Sequence, residues 1–127
     1  NSPDGTVSFS SPTSVVRNLT ITNSAVIVNT SSTTIFRIFG NLDIQGSLPT
    51  ISAGTQLWQF SSTSGTKTIT TSGKLLDFPI DFSGIGGTWA LQDNLTVGAT
   101  RGTSLNSGTL NLVRYTLSTG GFGSTGV

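Results

Sequence analysis

Apolar and polar residues alternate with a period of two along most of the chain, in short runs broken by glycine, asparagine and serine. Leu19 and Ile21 fall on one side of such a run, with Asn18, Thr20 and Thr22 on the other. Phe36 with Ile38, Leu42 with Ile44, Trp58 with Phe60, and Phe78 with Ile80 and Phe82 repeat the pattern. Further on come Trp89 with Leu91, Leu95 with Val97, and Leu110 with Leu112. Strict alternation marks strands with one buried face. Val26 and Val28 alternate with Ala25 and Ile27, so that run predicts a strand buried on both faces. Tyr115 and Leu117 fall in the phase opposite to Leu110 and Leu112, as when a chain turns a corner and keeps pointing inward. The stretches 47–54 (with Pro49), 61–65 and 83–87 read as turns. Pro79 lacks a backbone donor, which places it at a bend or an unpaired stretch. No useful length shows helical periodicity, and an all-β chain is expected.

The stretch 73–91 organises the rest. Gly73-Lys74-Leu75-Leu76-Asp77-Phe78 has partners in Gly40-Asn41-Leu42-Asp43-Ile44 and in Gly108-Thr109-Leu110-Asn111-Leu112, steps of 33 and 35 residues. Gly54-Thr55-Gln56-Leu57-Trp58 is echoed by Gly87-Thr88-Trp89-Ala90-Leu91, again after 33. A period of that size signals stacked repeats that cannot bury an apolar face alone. The expectation is a parallel β-solenoid (β-helix) of about three coils over 15–127, with 1–14 as a linker or entry arm holding one short strand at 6–9. The alternative is an antiparallel β-sandwich or jelly roll, which has no reason to repeat one motif at constant spacing. In the solenoid, Phe36, Ile38, Leu42, Ile44, Phe78, Ile80, Leu91, Leu110 and Leu112 are expected inside. An open coil exposes unpaired ladder groups, so the ends are expected to be covered by more of the same polypeptide or by partner subunits.

Composition narrows the function. Ser, Thr, Asn and Gly make up about half of the 127 residues, charged residues 9%, and the net charge is +1. The six cations are scattered singly, so neither nucleic acid nor an anionic membrane surface is indicated. Mean hydropathy is +0.12, which speaks for a folded chain. No apolar run approaches the ~20 residues of a membrane-spanning helix. His, Cys and Met are absent. This excludes histidine-dependent triads and thiolate or imidazole zinc sites within the chain, and no cofactor or metal is expected. The missing Met leads us to expect a processed product or a segment of something longer.

Asp77 and Asp81 are the one close carboxylate pair, on one face of a presumed strand and roughly 13 Å apart at ~3.3 Å per residue. Glycosidase pairs need about 5–5.5 Å or 6.5–9.5 Å. That pair therefore fails on geometry unless a carboxylate such as Asp93 converges from a neighbouring coil or subunit. Trp58, Trp89 and Tyr115 are the candidates for stacking a glycan on an outer face. For both tryptophans core packing is the plainer expectation, since each alternates with an apolar neighbour.

The stretches 73–82 (GKLLDFPIDF), 87–98 (GTWALQDNLTVG) and 108–122 (GTLNLVRYTLSTGGF) resemble the β-solenoid repeats of large extracellular proteins. The likeness is to repeat regions of bacteriophage virion proteins of the tail-fibre or appendage type, with a weaker likeness to bacterial adhesin passenger repeats. Val113-Arg114 departs from it, standing where such repeats often carry an Asn- or Gly-containing turn. The resemblance implies a non-catalytic viral structural protein of a virion or, alternatively, of an extracellular or bacterial cell surface. It implies a homo-oligomer (a trimer is favoured) contacting other virion or surface structural proteins and a host-surface glycan. The other classes are a glycan-binding module and a polysaccharide hydrolase or lyase.

Overall fold

A computed structural model describes residues 6–8, 13–22, 26–28, 35–46 and 50–125. Phe9 and Pro49 of the expected elements lie outside the described residues, as does Asp4. Every described element is a β-strand. One turn comprises β1 (Thr6–Ser8), β2 (Thr13–Val16) and β3 (Leu19–Ile21). The next holds β4 (Val26–Val28), β5 (Ile35–Ile38) and β6 (Leu42–Ile44), and then come β7 (Thr50–Ile51), β8 (Leu57–Phe60) and β9 (Thr66–Thr70). After β10 (Leu75–Leu76), β11 (Ile80–Leu91) runs through a corner and serves two faces. β12 (Leu95–Val97), β13 (Gly102–Asn111), β14 (Leu117–Ser118) and β15 (Gly121–Ser124) follow.

All the pairings are parallel. One face stacks β2, β5, β8, the first part of β11, the first part of β13 and β15. A second stacks β3, β6, β9 and the latter parts of β11 and β13. The third carries two short ladders, β1-β4-β7 and β10-β12-β14. This is a parallel β-solenoid, as the alternating runs and repeats predict, and not an antiparallel sandwich. The third-face ladder already includes Thr6–Ser8, paired with Val26–Val28, and β2 begins at Thr13. The solenoid thus starts within the stretch read as an entry arm.

The coil length differs from the expected one. Thr13 pairs with Ile35, Ile35 with Leu57, and Trp58 with Ile80, a step of 22 residues each time. The coils are therefore shorter and more numerous than the about three expected. The 33–35-residue echoes arise because a three-sided coil has interchangeable corners. Gly40 and Gly108 stand at the same corner, between the first and second faces and three turns apart, while Gly73 stands at the corner between the second and third faces, about one and a half turns from each.

The core is built of in-register columns. Phe36, Trp58 and Ile80 stack on one another, as do Ile38, Phe60 and Phe82 on the same face. Leu42 pairs with Ile69, and Ile69 with Leu91, on the next face. All of these side chains are buried, and so is Phe78. Leu110 is half-buried against the core. Leu112, expected inside, is 39% exposed: β13 ends at Asn111, and Leu112 opens the corner that follows.

Polar side chains finish the corners. Asn18 Oδ1 accepts the Asn41 N–H at 2.9 Å, and Asn41 Oδ1 accepts that of Thr68 at 3.0 Å. Asn94 does the same for Thr116, and Asp93 accepts the N–H groups of Thr71 and Ser72. These groups would otherwise lack a partner where the ladder breaks. The 83–87 stretch, read as a plain turn, is a bulged bend within β11, with register shifts between Phe82 and Ser83 and between Ser83 and Thr88. Glycine is needed there because a Cβ on Gly84 would lie 1.8 Å from the Ser62 carbonyl oxygen.

The corner at Val113-Arg114, where a turn residue was missing, is a strained one. Val113 sits at φ 59°, a left-handed conformation that β-branched residues avoid at a cost of about 1–3 kcal/mol. Asparagine tolerates it, and the site is 61% exposed. Val113→Asn is expected to raise stability by about 1 kcal/mol. A denaturant midpoint equal to or below that of the parent protein would refute this account of the corner.

Candidate functional site

Both tryptophans pack in the core, the plainer of the two expectations, and offer no stacking platform. Trp58 and Trp89 are each 0% exposed. Trp58 packs edge-on to Phe36 at 5.0 Å between ring centroids and against Phe78 at 4.4 Å. Trp89 contacts Phe82 at 5.3 Å and Phe60 at 6.5 Å. The aromatic rings of the core thus form two groups, Phe36-Trp58-Phe78 and Phe60-Phe82-Trp89, and neither indole reaches an outer surface. Tyr115 is half-buried against the same core, with the Arg114 guanidinium 5.4 Å from its ring centroid. The three aromatics form no joint surface.

The carboxylates do not converge either. Asp77, in the bend before β11, holds Arg101 Nε at 3.0 Å. Asp81 is 4% exposed and belongs to a ladder across successive coils of the first face. Arg37 Nε donates to Gln59 Oε1 at 2.8 Å, and Gln59 Nε2 donates to Asp81 Oδ2 at 2.8 Å. Ser104 Oγ and Asn106 Nδ2 donate to Asp81 Oδ1 at 2.7 and 2.6 Å. Across the ladder Asp81 meets amide and hydroxyl groups rather than a second carboxylate. Asp93 caps the corner at Thr71, and Asp43 accepts from Gln45 at 2.7 Å. Each described aspartate therefore has a structural partner, and Asp77, Asp81 and Asp93 stand at three separate places.

The sequence reading expected the ends of the solenoid to be covered but did not name the residues that line them. Past β13 the inward columns run out, leaving an apolar groove of about 310 Å³ lined by Leu105, Leu110, Leu112, Leu117, Thr119 and Phe122. Phe122 is 53% exposed, although it stands in register with Thr103, whose column leads back to Ile80, Trp58 and Phe36. Among the described residues, β14 pairs only with β12 and β15 only with β13, so one edge of each is open. At the other end Val16 and Leu19 are half-buried against the core. Among the described residues, both ends thus present parallel strands in one direction with apolar side chains beside them. The phase change between Leu112 and Leu117 was the sequence signal, since it marks the last corner.

No protein-family model, curated protein or solved structure matches the chain.

Proposed function

We infer that the protein is a non-catalytic structural rod of a virion fibre or appendage, or of a comparable cell-surface assembly, working by rigidity and end-to-end or partner association. The observation that carries this reading is the open apolar end around Leu112 and Phe122, whose strand edges run parallel to those of β2 and β3 at the other end. The edge therefore offers a ladder in the direction that more of the same polypeptide, a partner subunit or a next copy needs, a head-to-tail contact that extends rather than closes. The use of Asp43, Asp77, Asp81 and Asp93 as structural acceptors also favours a framework over a hydrolase. The resemblance to phage fibre repeats selects the virion among rod-like settings.

Analytical ultracentrifugation of the chain over a concentration series tests it. Self-association that grows with concentration is expected, and the Leu112→Lys, Phe122→Lys double variant is expected to sediment as a monomer with an unchanged circular-dichroism spectrum. A parent chain that stays monomeric at the highest concentration would sink the assembly reading.

A further inference from the structure

A second surface lies on the flank of the rod, away from the open end. The corner between β5 and β6 spans residues 39–41, whereas that between β8 and β9 spans 61–65. The register records the difference: Phe36 to Trp58 is a step of 22 residues, but Leu42 to Ile69 is 27. Beside the longer corner lies a groove of about 340 Å³, lined among others by Arg17, Asn18, Phe39, Asn41, Thr66 and Lys67. An adjoining hollow of about 220 Å³ shares Arg17, Phe39 and Lys67 and adds Ser62, Thr63 and Ser64.

The chemistry of this lining is specific. Phe39 is 39% exposed, an aromatic ring placed outward while its neighbours Phe36 and Ile38 face the core. Arg17 and Lys67 flank it from the coils on either side, and no acidic residue lines either hollow. The ion pair among the described residues joins Arg101 to Asp77, elsewhere on the rod. Asn18 and Asn41 spend their Oδ1 atoms on backbone N–H groups, which leaves their Nδ2 donors for a ligand. An apolar ring, two cations and a fringe of amides and hydroxyls match a sugar ring that carries a carboxylate. The ring packs on the sugar's C–H face, the guanidinium takes the carboxylate in its fork, and the amides take hydroxyls. Small hydroxyl and amide groups outnumber apolar ones here, which favours a carbohydrate over an acidic peptide.

We propose that the groove at Arg17, Phe39 and Lys67 binds acidic glycan, a chain of uronic-acid-type sugars. This reading is independent of the assembly: the residues involved lie between 17 and 67, and those of the open end between 105 and 122.

Isothermal titration with tetragalacturonate as the probe tests it, with its methyl ester and tetraglutamate as comparators. Phe39→Ala, Arg17→Gln and Lys67→Gln are each expected to weaken binding about threefold to tenfold. The methyl ester, which keeps the sugar and loses the charge, is expected to bind at least about tenfold more weakly. Arg114→Gln, at an exposed cation outside the groove, should leave the affinity unchanged. Circular dichroism of each variant separates loss of binding from loss of fold. Undiminished binding by the three groove variants, equal binding of the methyl ester, or tighter binding of tetraglutamate would each overturn the proposal, as would no binding of tetragalacturonate by the folded parent chain.

Discussion

Trp58→Ala is expected to cost about 3–5 kcal/mol, the range for deleting a large aromatic side chain from a close-packed core. Trp58 occupies a column in which Phe36 lies on one side and Ile80 on the other, with Phe78 against its ring face. Its neighbours are held by ladder hydrogen bonds to the coils beyond them, so the backbone cannot collapse into the space left behind. For a domain of this size the loss corresponds to a fall in melting temperature of roughly 10–25 °C. Leu112→Ala, by contrast, should move stability by no more than about 0.5 kcal/mol in the unassembled chain, because Leu112 lies outside the column. Thermal denaturation at a concentration where the chain is monomeric checks both. A Trp58→Ala protein within about 1 kcal/mol of the parent would mean that this column is not what holds the coils together.

The next largest effect is expected at Asp81, and its size follows from the polarity of the ladder it ends. Arg37 can only donate, the Asp81 carboxylate can only accept, and Gln59 between them faces its carbonyl to Arg37 and its amide to Asp81. Asp81→Ala leaves the Gln59, Ser104 and Asn106 donors without their shared acceptor and should cost about 1–3 kcal/mol. Asp81→Asn is a sharper probe. Its shape is conserved, but Oδ1 alone accepts, and the new Nδ2 then faces the Gln59 Nε2. Turning Gln59 round relieves that contact and creates the same clash against Arg37. Asp81→Asn should therefore remain destabilising, and the double variant Asp81→Asn, Arg37→Gln should recover part of the loss by letting the ladder reverse. Urea denaturation of the two variants decides it. An Asp81→Asn protein as stable as the parent would show that the ladder's direction carries no energy.

The strands and their inward positions were legible because alternation is a local property. Phe36, Ile38, Leu42 and Ile44 point to the core wherever the coil boundaries fall. The coil length was not legible from glycine spacing, because the Gly-x-Leu signatures stand at two different corners of a three-sided coil, so that steps of 33 and 35 residues join one corner to another. A better signal was present in Asn18-Leu19-Thr20-Ile21 and Asn41-Leu42-Asp43-Ile44, which recur after 23 residues and pair strand to strand. The asparagine identifies the corner, since its side chain replaces a ladder bond. For the candidate sites, burial decided what alternation left open. Trp58 and Trp89 face inward, while Phe39, which sits in the opposite phase beside Gly40, faces out. The groove itself could not be read from residue types, because it arises from a difference in loop length between adjacent coils.

The hydrogen bonds that join coil to coil point along the axis of the rod, while the strands run across it. A force pulling the two ends apart therefore loads one coil's ladder at a time rather than shearing many strands at once. A coil with the common 22-residue step pays out roughly 75 Å of chain at full extension. Under tension the molecule behaves as a zip, lengthening coil by coil in increments set by each coil's own length while the coils not yet reached keep their packing.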